Sequence, residues 1–66
     1  MIQLTLQQGK VFELFAQGKT MREIALTIGV SYSRIVNILN EILVKSGYKN
    51  RRELLINAKS LEYIIM

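Results

Sequence analysis

Gly29-Val30-Ser31-Tyr32-Ser33-Arg34-Ile35-Val36-Asn37-Ile38-Leu39-Asn40-Glu41-Ile42-Leu43-Val44-Lys45-Ser46 is the stretch on which the fold of this 66-residue chain turns. Ile35, Ile38, Leu39, Ile42 and the small Ser46 fall within one stripe at about 100° per residue, the period of an α-helix. Ser31 supplies a side-chain oxygen for the N-cap. Three of the stripe residues are β-branched isoleucines, yet strict alternation is missing and the length favours a helix over a strand. The opposite face carries Ser33, Asn37, Asn40 and Val44, flanked by Val36 on one side and by Arg34 and Glu41 on the other. Two asparagines there stand out, because Asn is a mediocre helix former that prefers caps.

Upstream, Thr20-Met21-Arg22-Glu23 has the form of a capping box, in which a Thr hydroxyl and a Glu carboxylate each take an amide of the first turn. Met21, Ile24, Ala25 and Ile28 follow at i, i+3, i+4 and i+7. Gly29 ends this helix, since only glycine takes positive φ without penalty, and Val30 plugs the turn. Earlier still, Thr5 and Gln8 form a second box, and Val11, Phe12, Leu14 and Phe15 supply a core side as far as the stop at Gly18. Gly9 inside that helix costs roughly 1 kcal/mol relative to Ala and reads as a mark of close approach by another helix.

Downstream, Gly47 and Tyr48 make a turn, and Asn50-Arg51-Arg52-Glu53 caps a fourth helix with Leu54, Ala58, Leu61 and Ile65 on one face. The expectation is an all-α fold, one domain over residues 1–66, with helices at about 5–17, 20–28, 31–46 and 50–60 or longer. Leu55, Ile56, Tyr63, Ile64 and Met66 add more apolar surface than one stripe buries within a monomer. They predict a partner, the alternative being a tail folded back over the core.

Composition narrows the function. A chain this short buries only about 60% of the surface it exposes when unfolded, and with no Cys or His it has neither disulfide nor ordinary zinc site to stabilise it. No metal or other cofactor is expected. A net charge of +4 and a pI near 9.8 favour an anionic partner such as nucleic acid, against the alternative of ordinary solubilising charge. No apolar run approaches the ~20 residues of a membrane span, and no signal-peptide pattern opens the chain, so no membrane association and a cytoplasmic location are expected. The five acids are all Glu on separate helices, with no candidate general base or nucleophile beside them; no enzyme is expected.

Two helices joined by a tight glycine turn, the second with an apolar inner stripe and a polar outer one, form a helix-turn-helix pattern. Ala25 is small where the helices cross, Gly29 bends the chain, and Ile24, Ile28, Val30, Ile35 and Ile38 fill the wedge between them. Over about residues 4 to 58 the chain further resembles the DNA-binding domain of the LuxR/FixJ/GerE class of bacterial regulators, most nearly a stand-alone, GerE-like form. Leu4-Thr5, Val11, Leu14 to Gly18 and Thr20 to Ala25 carry the first half of that resemblance. Val30-Ser31, Ile35, Ile42, Lys45, Gly47 and Asn50 to Leu54 carry the second.

The resemblance implies a third helix in the major groove and a fourth that mediates homodimerisation on a two-fold symmetric site, here with Leu55, Ile56, Lys59 and Tyr63 as dimer contacts. By position it makes Ser33, Val36, Asn37 and Asn40 the base-facing set. The family usually has a basic residue at position 36, a His at 38, and Arg and acidic side chains at 7, 8 and 10, where this chain has Val36, Ile38, Gln7, Gln8 and Lys10. A different base preference follows: Asn bonds the adenine edge and Val36 suits a thymine methyl, which predicts an A·T-leaning half-site. Solvated surface is the alternative role for each Asn.

Thr20, by its cap position, resembles a family phosphate contact. Arg34, Lys45, Lys49, Arg51 and Arg52 are the nearest cations in sequence, the alternative for Arg51 and Arg52 being ion pairs with Glu53 or Glu41. Tyr32 either stacks or bonds at the DNA backbone or covers the core edge. The sequence thus predicts a double-stranded DNA-binding transcriptional regulator. The competing expectation is a protein-interaction module on the same scaffold, which antagonises another regulator or binds RNA polymerase.

Overall fold

Helix starts are written into this chain by four side chains, and in the computed structural model, which describes residues 1–66, each caps where the sequence places it. Thr5 precedes α1 (Leu6–Ala16), Thr20 precedes α2 (Met21–Ile28), Ser31 precedes α3 (Tyr32–Ser46) and Asn50 precedes α4 (Arg51–Ile56). The two Thr boxes close reciprocally, whereas the box-like cap read at Asn50 closes on one side only: Asn50 Oδ1 accepts from the Glu53 amide at 2.9 Å, but Glu53 Oε1 faces the Lys49 amide rather than that of Asn50. The Thr5 hydroxyl accepts from the Gln8 amide at 3.1 Å while the Thr5 amide donates to Gln8 Oε1 at 2.9 Å. Thr20 and Glu23 repeat the exchange at 3.1 and 2.8 Å. Gly29 stops α2 at φ 83°, ψ 35°, and its amide donates to the Ala25 carbonyl, the left-handed termination expected of glycine there.

The core is the set of faces the helical period predicts. Val11, Phe12 and Phe15 from α1, Ile24 and Ala25 from α2, Ile35, Ile38, Leu39 and Ile42 from α3, and Leu54 from α4 are all buried, joined by Leu4 and Ala58. Burying a side chain of this size is worth roughly 1.5–3 kcal/mol. The α3 helix is therefore the keel of the molecule: α1, α2 and α4 all pack on it.

The C-terminal third departs from the expected course. The α4 helix ends at Ile56 rather than near residue 60 or beyond, because Asn57 turns its side chain back to donate to the Glu53 carbonyl and the chain closes into a tight turn on the Asn57 carbonyl. Tyr63–Ile65 then forms a strand, β2, paired in parallel with a strand at the other end of the chain, β1 (Ile2–Leu4), with Ile2, Gln3 and Leu4 opposite Tyr63, Ile64 and Ile65. The molecule is mostly helical with four helices, consistent with the all-α expectation, and adds to it one small sheet. The cause is local composition: Tyr-Ile-Ile is strand-favouring, and Leu4 offers it a buried neighbour.

The tail thus folds back over the core. Tyr63 meets Phe12 edge to face, with ring centroids 5.2 Å apart at 82°. Ile65 lies on Gly9, where a Cβ would collide with its Cδ1. The close approach anticipated at Gly9 is therefore real, but the approaching element is a strand and not a helix. No helix is long and apolar enough to cross a membrane.

Candidate nucleic-acid interface

The outer face of α3 is available because its inner face is so firmly held. Ile35, Leu39 and Ile42 are fully buried and Ile38 nearly so, which fixes the rotation of the helix about its axis. Ser33, Asn37 and Asn40 consequently stand in solvent with Val44, and Val36 lies half-buried at their margin. At 15 residues the helix is about 22 Å long, enough to lie along a groove. Its side-chain hydrogen bonds belong to Ser33 with the Ser31 cap, Arg34, Glu41, Lys45 and Ser46. The amides of Asn37 and Asn40 are thus left with donors and acceptors free for another molecule.

The predicted phosphate-contact residues divide into several groups. Arg34 Nη2 donates to Gln7 Oε1 at 2.9 Å, tying the first turn of α3 to that of α1. The Arg51 guanidinium rests against Met21 Sδ, which brings the start of α4 to the start of α2 and so to Thr20. Lys49 and Arg52 are exposed. Neither of the ion pairs weighed as the alternative for Arg51 and Arg52 forms: Glu41 accepts from Gln8 Nε2 at 3.0 Å, and Glu53 Oε1 faces the Lys49 amide. Tyr32 is half-exposed at the head of α3 and does not join the core.

Lys45 and Thr20 are also engaged within the protein, and more fully. Lys45 Nζ donates to the Gln3 carbonyl at 2.9 Å and to Gln8 Oε1 at 2.8 Å, so two of its three donors are spent on anchoring β1 and α1 to α3. The Thr20 amide is held by the Glu23 carboxylate. The same backbone hydrogen bond, with help from the Thr20 side chain and the Lys19 charge, keeps the Glu23 carboxyl below its ordinary pKa despite a small opposing desolvation. A negative charge therefore sits at the α2 N-terminus, where it stabilises the helix dipole and opposes a second anion.

The predicted dimer contacts also separate. Leu55 and Ile56 are exposed on α4, Lys59 lies in the turn that follows, and Tyr63 is on β2 with its ring against Phe12. The sequence reading missed the polar cluster of Gln8, Glu41, Lys45 and the Gln3 carbonyl. Its signal was present: Glu41 and Lys45 are four apart on one side of α3, and Gln8 is a polar residue on the buried side of α1.

Comparison with family models, with curated proteins and with solved structures finds no match to this chain. Function has to be read from the chemistry of the surface itself.

Proposed function

We propose that this chain is a sequence-specific, double-stranded DNA-binding regulator of helix-turn-helix type, acting as a homodimer with α3 in the major groove. The observation that carries the reading is the unengaged outer face of α3, with Asn37 and Asn40 offering bidentate amides from a helix whose rotation is fixed by four buried residues. Ser33 and Val36 complete the base-reading set. Tyr32, Arg34, Lys49, Arg51 and Arg52 contact the backbone, whereas Thr20 is left to cap α2 beside the Glu23 charge and Lys45 serves mainly as an internal tether. The net charge of +4 and the resemblance to the LuxR/FixJ/GerE class support the same assignment.

Selection of bound duplexes from a random pool, followed by fluorescence anisotropy on the selected site, tests the proposal. Binding should weaken steeply with salt through counterion release. Asn37→Ala with Asn40→Ala should lower affinity for the selected site by about 1–3 kcal/mol per lost base contact, leaving binding to unrelated duplexes unchanged. Absence of duplex binding at low salt, from folded protein, overturns it. That result favours the second reading, a module that binds another regulator or polymerase, whose motivation is the exposure of Val44 at 83% and Leu26 at 84%.

A further inference from the structure

The two-stranded sheet has two outer edges, and they are treated differently. Ile2 N–H bonds to the Glu62 carbonyl and Met66 N–H to the Leu4 carbonyl. With the register of the pair, the alternation of a parallel ladder aims the N–H and C=O of Ile64 at β1. Those of Tyr63 and Ile65 therefore point the other way, to the outer edge of β2. At the far edge of β1, the Lys45 ammonium sits on the Gln3 carbonyl, a charged side chain of the kind that protects an edge from further pairing. The flanking helices α1 and α3 pack beside β1. The β2 edge has no such cover: no side chain bonds to Tyr63 or Ile65, and Ile64, Ile65 and Met66 are exposed at 44%, 43% and 72% with no charged side chain among them.

We propose that this edge is the site of self-association: β2 pairs antiparallel with β2 of a second copy about a two-fold axis through Ile64. The outward groups are self-complementary in that arrangement. Tyr63 of each copy exchanges both bonds with Ile65 of the other, giving four hydrogen bonds, and Ile64 faces its own counterpart as a non-hydrogen-bonded pair with Cα atoms about 4.5 Å apart. Tyr63 and Ile65 keep their side chains on Phe12 and Gly9, so the Ile64 pair lies on the face away from α1. The product is a four-stranded sheet running β1, β2, β2, β1, with a Lys45 at each outer edge. A heterologous extended peptide would use the same main-chain groups; a second copy in addition sets Tyr63 beside Ile65 and Ile64 beside Ile64, aromatic–β-branched and aliphatic cross-strand pairs with no like charges opposed, and that favours it. So short a strand makes a weak, reversible dimer. The proposal does not rest on DNA binding, since a chain that reads no duplex still presents this edge.

The test uses sedimentation equilibrium and cysteine crosslinking of the whole chain. The parent should show a monomer–dimer equilibrium below about 1 mM, and Ile65→Pro, which removes an outward N–H but no bond to β1, should weaken it at least about tenfold. Because the chain has no cysteine, Ile64→Cys introduces a single thiol, and a Cα separation of about 4.5 Å is within disulfide range. Ile64→Cys should oxidise to a disulfide dimer while Ile56→Cys on α4 stays monomeric. A parent monomeric at about 1 mM overturns the proposal, as does crosslinking at position 56 without crosslinking at 64. An Ile65→Pro variant that dimerises like the parent overturns it too.

Discussion

Replacing Gly9 by alanine sets two effects of similar size against each other, and the structure says how to separate them. Gly9 lies within the first turns of α1, where alanine is favoured over glycine by about 0.8–1.0 kcal/mol. Its added Cβ would meet Ile65 Cδ1, the far end of a flexible side chain, which has to rotate away. Forcing such a side chain off its preferred rotamer costs about 0.5–1.5 kcal/mol. In the parent, Gly9→Ala should therefore change stability by no more than about 0.7 kcal/mol in either direction. With Ile65→Ala already present the obstruction is gone, and Gly9→Ala should add its full ~1 kcal/mol. Urea denaturation followed by far-ultraviolet circular dichroism reads this directly: for so small a protein, 1 kcal/mol moves the midpoint by about 1 M. The interaction energy of the cycle should be about 0.5–1.5 kcal/mol. Equal effects of Gly9→Ala in both backgrounds, within about 0.3 kcal/mol, would refute the placement of the C-terminal strand on α1.

Other substitutions test other parts of the account. Gly29→Ala meets no atom within 4 Å and should still cost about 1–2 kcal/mol in urea, purely from the left-handed backbone; Gly29→Asn should cost less. Ile38→Ala should cost about 2–5 kcal/mol, a large share of the roughly 3–10 kcal/mol expected for this length, so its midpoint should fall by about a fifth or more. The lowered pKa of Glu23 means that its contribution to stability is present above the ordinary carboxylate pKa and lost as pH falls through the folded value. Thermal melts should accordingly lose stability on acidification below about pH 4.5, and Glu23→Gln should flatten that loss; an unchanged profile refutes the charge-assisted box.

The helices were legible because their signals are local. Thr5, Thr20, Ser31 and Asn50 each act within three residues of themselves, and the stripe from Ile35 to Ile42 needs only its own period. The sheet was not legible, since three-residue strands carry too little periodicity and the partner of Ile2 lies at the other end of the chain. Leu54, Ala58, Leu61 and Ile65 share a helical face on paper, yet Asn57 ends the helix between the first two. The asparagines of α3 could be placed on the outer face from sequence alone, whereas the fate of Lys45 could not. Whether a lysine points to solvent or onto a carbonyl depends on which backbone passes nearby, and here that backbone is β1.

The pairing of β1 with β2 also bears on how the chain reaches its native state. Each helix can form from neighbouring residues, and the contacts of α1, α2 and α4 with α3 close short or moderate loops, steps that are fast for a chain of this size. Joining Ile2 to Tyr63 instead closes a loop of almost the whole sequence, so it has to wait until the helices have brought the two ends together. The sheet is then the last structure to assemble and the first to let go. Amides of Leu4 and Ile64 should exchange with solvent hydrogen well before those of Ile38 and Leu39, and the latch that joins the chain ends opens without unfolding the helices.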